Sequence, residues 1–419
     1  MASVTSYTED RKMTNITIGF VPRERFSSAA ESLESILTTE TEASFEMLIV
    51  DCATPPAVWA EIEALIEGRD NVRVLHTDHI LLPNEAKNLV INETKTEYLC
   101  LIENDNLVEP GWLDKLRNAC EEMPADVAVP MLMENRPGST KVHFDTALGS
   151  LEVVQTDEGE KLNVKARKHT GELAKLGRQY QEFMEVHCLF FRTSVFEKIG
   201  GFDEEVNMSE EVDLSIALQQ AGVPVVFEPA CVIHYVLPEF PLPESDIPFY
   251  MNKWDLDRAR KSIEIVQNRW KLTRPPQILG FVAERFYRGS GRLNEWVEQL
   301  REANPSDGKV VIMGLEEFAD GDEIFGPLGI LPFIEKDGQH WGSPVDDAEA
   351  IAELERMRSE KGASLMVFLW EYFWCLQHYT GFNEYLTENY DRVIDNDYII
   401  AFDLKNRRKP EQPRMAANG

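Results

Sequence analysis

The chain of 419 residues contains no run of about 18 apolar residues, the minimum for a helix that crosses a bilayer. Its opening, from Met1 to Met13, holds no apolar stretch and so lacks a secretory signal pattern. Six cysteines (Cys52, Cys100, Cys120, Cys188, Cys231 and Cys375) are scattered without a CxxC pair or zinc-ligand spacing. Several lie inside apolar runs, the habit of buried reduced thiols, which argues against a disulfide-stapled secreted fold. Basic residues are scarce: Lys and Arg number 42 against 73 Asp and Glu, a formal net charge of −31. Nucleic acids and anionic membrane surfaces require basic patches, so neither is an expected partner. No Walker loop or GxGxxG sequence follows a strand, and no Ser/His/Asp triad is legible. The expected setting is the cytoplasm.

What is present is alternation. Strand-like apolar runs at 16–21, 47–50, 72–75 and 98–102 are separated by helical patterns at about 27–37, 56–67 and 83–92. Strands alternating with helices predict a mostly parallel sheet covered on both faces, an α/β fold. A further strand is expected at 127–133. Residues 134–180 are polar and weakly periodic, which predicts a loop-rich segment over the active site. Order returns at 186–191, followed by a Gly200-Gly201-Phe202-Asp203 turn, a helix over 209–221, and strands at 225–228 and 232–235. Helical patterns at 249–272 and 281–303 precede a second α/β block with strands near 309–313, 365–368 and 398–402. At this length more than one core is expected. The boundaries read as a 14–245 domain, a 246–307 helical linker, a small 308–405 α/β domain and a disordered 406–419 tail.

The densest chemistry lies at Glu103-Asn104-Asp105, directly after the 98–102 strand. Carboxylates at a strand end sit on the sheet edge where open α/β folds bind ligands. Hard oxygens there suit Mg²⁺ or Mn²⁺, which bridge to phosphates. Asp51 ends the second strand at the same edge. Glu210 and Glu211 open a helix, where acids also suit the dipole. His234 sits on an apolar strand. Lys87 stands where it can neutralise phosphate charge, flanked by Asn84 and Asn88.

Taken in order, these pieces resemble a family 2 glycosyltransferase of the GT-A fold over residues 14–237. The carrying residues are Asp51, the Pro83-Asn84-Glu85-Ala86-Lys87-Asn88 segment, and Glu103-Asn104-Asp105 followed by Glu109-Pro110-Gly111-Trp112. To these are added the Gly200–Asp203 turn, Glu210-Glu211-Val212-Asp213-Leu214 and His234. The resemblance implies a metal-dependent enzyme, inverting by the family's habit and set in polysaccharide biosynthesis. It would move a sugar from a nucleotide-diphosphate donor to a glycan or other hydroxyl acceptor. It implies Asp105 and His234 as ligands of Mn²⁺ or Mg²⁺. Asp51, Asn84, Lys87, Asn88, Glu103 and Asn104 would bind the donor, and Glu210 or Glu211 would be the general base. His187 and Trp112 would line the acceptor side. Two departures stand out: Glu103 and Glu211 occupy positions where the family usually has aspartate. They sustain an alternative, a non-catalytic nucleotide-sugar-binding or scaffold protein with a decayed transferase domain. A nucleotidyltransferase is a third reading, which fits the Glu-Glu helix and His234 less well. The 308–405 block is similar to extensions on some bacterial members. It is expected to contact a partner protein, another subunit or the acceptor, with the aromatic run 370–379 as its face.

Overall fold

The computed structural model describes residues 15–143, 150–157, 159–165, 176–273, 279–304, 308–313, 328–336, 339–369, 372–396 and 398–408. The chain divides into two compact units, Met1–Pro276 and Gln277–Gly419. Among the described residues, no helix is long and apolar enough to cross a membrane.

The first unit begins as the alternation predicts: β1 (Ile16–Val21), α1 (Ala29–Thr38), β2 (Phe45–Cys52), α2 (Pro56–Ile66), β3 (Val72–Thr77), α3 (Pro83–Glu93) and β4 (Tyr98–Glu103). Then follow β5 (Asn106–Val108), α4 (Trp112–Glu122), β6 (Val127–Glu134), β7 (Ser150–Thr156), β8 (Gly159–Lys165), β9 (Gln179–Gln181) and β10 (Cys188–Arg192). α5 (Val195–Ile199), α6 (Glu210–Gln220), β11 (Val225–Tyr235), α7 (Ile247–Lys253) and α8 (Leu256–Trp270) complete it. The main sheet runs β3-β2-β1-β4-β10-β6-β11-β5, with β9 beside β11. β3, β2, β1 and β4 are parallel, and β10 runs antiparallel to both β4 and β6.

β1 and β4 are buried at every residue, which is why they read as continuous apolar runs. Alternate side chains enter opposite layers. Ile16, Ile18 and Phe20 pack with Leu33 and Ile36 of α1 and with Trp112 and Leu116 of α4. Leu99 and Leu101 pack with Val90 of α3 and with Leu214 and Leu218 of α6. The parallel strands therefore end together, and the residues after β1, β2 and β4 share one edge.

Three expectations change in detail. The strands expected at 225–228 and 232–235 are one, β11, whose pairing with β6 shifts between Glu228 and Val232. Pro229 has no N–H to give the ladder, so an irregularity is expected there. Within 134–180, the described residues include a β7–β8 hairpin rather than loop alone. Its signal is alternating Leu and Val around a turn closed by Gly159, whose φ of 106° suits glycine. The 246–307 stretch read as a linker is divided: α7 and α8 lie in the first unit, where Val266 packs on Val212 and Ile216 of α6.

The second unit has a five-stranded sheet in the order β13-β12-β16-β18-β17, formed by β12 (Lys309–Met313), β13 (Ile330–Pro332), β16 (Ala363–Leu369), β17 (Asp391–Asp395) and β18 (Ile399–Asp403), and a two-stranded one of β14 (Glu335–Lys336) and β15 (Gln339–His340). The aromatic run becomes two helices, Phe373–His378 and Thr380–Asn389, which bury Cys375, Leu376, Phe382 and Leu386. Residues 370–371 and the 409–419 part of the tail lie outside the described residues.

Gly19 marks where β1 and α3 meet. A Cβ there would come 2.4 Å from Val90 Cγ1. Overpacking of a filled core costs about 1–3 kcal/mol. Gly19→Ala is expected to lower the urea unfolding midpoint accordingly, and an unchanged midpoint would show that α3 gives way freely.

Candidate active site

β4 runs into Glu103-Asn104-Asp105-Asn106, and all four side chains are buried. Carboxylates in a low-dielectric interior require counter-charge. The exit of β1 supplies it, since Val21 lies opposite Glu103 in the ladder and Arg23-Glu24-Arg25 follows. Arg23 Nε stands 2.9 Å from Glu103 Oε2, and Lys87 Nζ of α3 donates to Glu103 Oε1 at 2.7 Å. Arg25 Nη1 lies 3.5 Å from Asp105 Oδ2, and Arg23 Nη1 lies 4.0 Å from it. Glu24 accepts from Arg25 Nη1 at 2.8 Å, from the Tyr235 hydroxyl at 3.2 Å and from the Trp254 indole at 2.8 Å. Asn104 clamps the arginine loop, accepting from the Arg23 amide at 3.1 Å and donating to the Arg25 carbonyl at 2.7 Å.

The two acids respond differently. Burial alone would raise Glu103, but Lys87, His187 and Arg23 overcome it and hold its pKa well below the usual carboxylate range. For Asp105 burial prevails over Arg25 and Arg23, and the pKa is pushed up to about 7. Its Oδ2 is buried and carries no hydrogen bond. His187 places Nδ1 3.1 Å from Glu103 Oε2. Burial, helped by Arg23, pushes its pKa down to about 3, so the ring is neutral near pH 7. Donor atoms of Glu103, Asp105 and His187 lie within 4.8 Å of one another. A hard cation fits this set through the unbonded Asp105 oxygen and the neighbouring Glu103.

α6 brings the second pair of acids. Ser209, before its first turn, has a φ of 62°, a left-handed conformation uncommon outside glycine, and its hydroxyl makes no cap bond. Glu210 is buried against Lys253, whose Nζ donates to it at 3.1 Å. Glu211 is half-buried and, among the described residues, forms no ion pair within 4 Å. Burial, then the charge of Glu210, pushes its pKa up to about 7. Glu185 carries a carboxyl raised well above the ordinary range by burial and then by Glu211. Its Oε2 is 4.0 Å from His187 Nε2, so it links the α6 acids electrostatically to the β4 acids.

Residues 23–200 match the family model described as Glycosyl transferase family 2. That stretch resembles the family 2 glycosyltransferases. Over 174 residues it is 25% identical to the pre-mycofactocin glycosyltransferase of Mycobacterium tuberculosis, covering 41% of this chain and 34% of that protein. Over 99 residues it is 28% identical to glycosyltransferase GlyG of Streptococcus pneumoniae, covering 24% of this chain and 33% of that one. The chain thus spans about a third of the length of these curated relatives. Among solved structures it is similar to GalNAc-T7 crystallised with UDP, GalNAc and Mn²⁺, at 12% identity and a TM-score of 0.45. That likeness covers 71% of this chain and 59% of the other.

Across the first unit the expected residues separate by partner. Asp51 accepts from the Thr54 amide at 3.1 Å and lies 2.8 Å from His76 Nδ1. Lys87 serves Glu103. Asn84 instead donates to the carbonyls of Asp203 and Val206 at 3.0 and 2.7 Å, and Asn88 grips Phe202 through both its carbonyl and its amide. These asparagines pin the Gly-Gly-Phe-Asp turn. Gly201 is required there, because a Cβ would meet Asn88 Oδ1 at 2.4 Å. Asn84, Phe202, Asp203, Glu210 and Asp213 line a cavity of about 310 Å³. Trp112 is core.

His234 and Asp105 are not drawn into one ligand cluster. Neighbouring residues of a strand point to opposite faces. Tyr235 takes the site-facing position, accepting from Arg23 Nη1 at 3.0 Å and packing 4.4 Å from the His187 ring. His234 bonds the Glu109 carboxylate at 2.9 Å. Sequence reasoning did not single out Arg23, Glu24, Arg25, His143, Glu185, Tyr235 or Lys253. For the first three a signal existed: charged residues directly after a fully apolar strand lie on the ligand edge, as Asp105 does.

The buried Lys87–Glu103 pair gives a stability test. Removing one member of a buried ion pair costs about 3–5 kcal/mol. Glu103 keeps Arg23 and His187, so Lys87→Met is expected near the lower end in denaturant unfolding. The double variant Lys87→Met/Glu103→Leu should recover part of the loss. Wild-type stability for Lys87→Met would show that Arg23 alone neutralises Glu103.

Proposed function

We propose that the chain is a metal-dependent glycosyltransferase that moves a sugar from a nucleotide-diphosphate donor to a hydroxyl of a glycan or other acceptor. The observation that carries this reading is Glu211, a half-buried acid with a pKa of about 7, coupled through Glu185 to the strand-end pair Glu103 and Asp105. A sugar hydroxyl becomes a good nucleophile only as its proton leaves, and a base works best when its pKa lies near the operating pH. Glu211 is assigned as that base. Glu210, paired with Lys253, raises it. Attack opposite the leaving diphosphate inverts the anomeric carbon.

Arg23 and Arg25 stand on the ligand edge as cations for the diphosphate, a role suited to the planar guanidinium fork. Asp105, with Glu103 beside it, is assigned Mn²⁺ or Mg²⁺. Bound there, such an ion supplies charge stabilisation for the leaving diphosphate. His234 is left out of the ligand set because Glu109 already engages it. Asp51, steadied by His76, is assigned to a base N–H of the nucleotide. The second unit is assigned to contacts with acceptor or partner protein, through the helix where Trp374 is 46% exposed. A chain ending at Thr273 should then keep nucleotide binding.

The base must be ionised to act, so turnover of the correct donor should rise with pH through about 7 and level off above it. Glu211→Gln should lower kcat by roughly 10²- to 10⁴-fold while donor binding by calorimetry stays close to wild type. Glu210→Gln removes a charge that raises Glu211 and should move the profile to lower pH. A pH profile unaffected by both changes would remove Glu211 from the mechanism. Chelation by EDTA should abolish turnover and Mn²⁺ should restore it; undiminished activity would dismiss the ion. The contacts that Arg23 and Arg25 already make with Asp105 favour the second reading, a non-catalytic protein. Absence of UDP, GDP and dTDP binding at millimolar concentration with Mn²⁺ would support it.

A further inference from the structure

A second cluster shares His187 with the first. Donor atoms of His143, Glu185 and His187 lie within 4.8 Å of one another. His143 comes from the segment after β6, held against that strand by the Met133–Val142 bridge and by its own amide, which donates to the Leu132 carbonyl at 3.0 Å. Glu185 and His187 come from the lead-in to β10. The two rings stand edge-on, 5.1 Å apart at 89°.

Each ring has a carboxylate at its Nδ1. His143 Nδ1 lies 3.2 Å from Glu134 Oε1, and His187 Nδ1 lies 3.1 Å from Glu103 Oε2. Lys141 Nζ holds the other Glu134 oxygen at 2.6 Å. On His143 the carboxylate hydrogen-bonds Nδ1, which fixes the proton there and orients Nε2 as a ligand, the outer-shell arrangement of metal-binding histidines, whereas His187 Nδ1 is near Glu103 without a hydrogen bond. On His187, Nε2 is the nitrogen that faces Glu185 Oε2, at 4.0 Å. His187 is 1% exposed, whereas His143 and Glu185 are 19% and 17% exposed, so an ion could enter from solvent. Two imidazole nitrogens and one carboxylate oxygen are the protein ligands of open zinc sites, with a further position for water.

We propose that His143, Glu185 and His187 bind a divalent transition-metal ion of the zinc class, through the two Nε2 atoms and the Glu185 carboxylate. Imidazole donors suit zinc and its first-row neighbours, whereas Mg²⁺ takes oxygen. The site is separate from the ion assigned to Asp105, with His187 serving Glu103 only through Nδ1. The bound ion ties the segment carrying His143 to the start of β10. The proposal does not rest on the transfer reaction and is tested without nucleotide.

The untagged full chain, stripped with chelator and dialysed, is titrated with Co²⁺ alone and then with Zn²⁺. The expected result is one equivalent of Co²⁺ with visible d–d absorption, displaced by Zn²⁺, and a Tm that rises with free metal. His143→Ala and Glu185→Gln should each weaken binding at least tenfold. Glu134→Gln, which alters the carboxylate at His143, should weaken it by roughly 10- to 100-fold. Asp105→Asn should bind as wild type. Circular dichroism checks that each variant is folded. No binding of either ion by the wild type, or unchanged affinity in both His143→Ala and Glu185→Gln, would overturn the proposal. Loss of binding in Asp105→Asn alone would place the ion at Asp105 and overturn it equally.

Discussion

Compensation of buried charge at the end of β4 is the constraint on which the first unit depends. Glu24, Glu103 and Asp105 are all buried, and Arg23, Arg25 and Lys87 are the cations that meet them. Removing any one leaves a charge with an incomplete partner, a costly state in a low-dielectric interior. The cations come from two other elements, the exit of β1 and α3. The strand order that places β1 beside β4 is therefore also what makes the acids tolerable. The same edge then offers two fixed arginines and an unbonded carboxylate oxygen to a ligand.

A second layer of positioning surrounds this group. Asn104 holds the arginine loop by its backbone, and Tyr235 and Trp254 hold Glu24. Asn84 and Asn88 hold the turn that precedes α6. Lys253 of α7 reaches Glu210, which makes the first of the two helices after the sheet part of the acid pair's environment. The difference between Glu210 and Glu211 arises here: Lys253 bonds Glu210 directly, while at Glu211 burial and its neighbour's charge outweigh the more distant lysine.

Much of this was legible in order along the chain. The alternating strands and helices, the acids after β4 and the glutamates opening α6 all appear as local patterns, because strand burial and helix starts are written in neighbouring residues. The β7–β8 hairpin was less legible, since its alternating Leu and Val are few and sit among many charged residues. His234 shows the limit of reading by position. One residue along a strand reverses the face, so Tyr235 meets Arg23 and His187 while His234 meets Glu109.

By itself the sequence determined the α/β class, the parallel strand edge and the acidic residues gathered along it, because periodicity and strand-end chemistry are local. Only the tertiary structure decided which charges those acids meet. Arg23 and Arg25 are about eighty positions from Asp105, and Lys253 is 43 from Glu210. It also decided that His143, Glu185 and His187 converge, and that Lys253 pairs with Glu210 rather than with Glu211. Ion pairing, burial and pKa are set by distances through space, and those follow from strand order and packing rather than from neighbours in the chain.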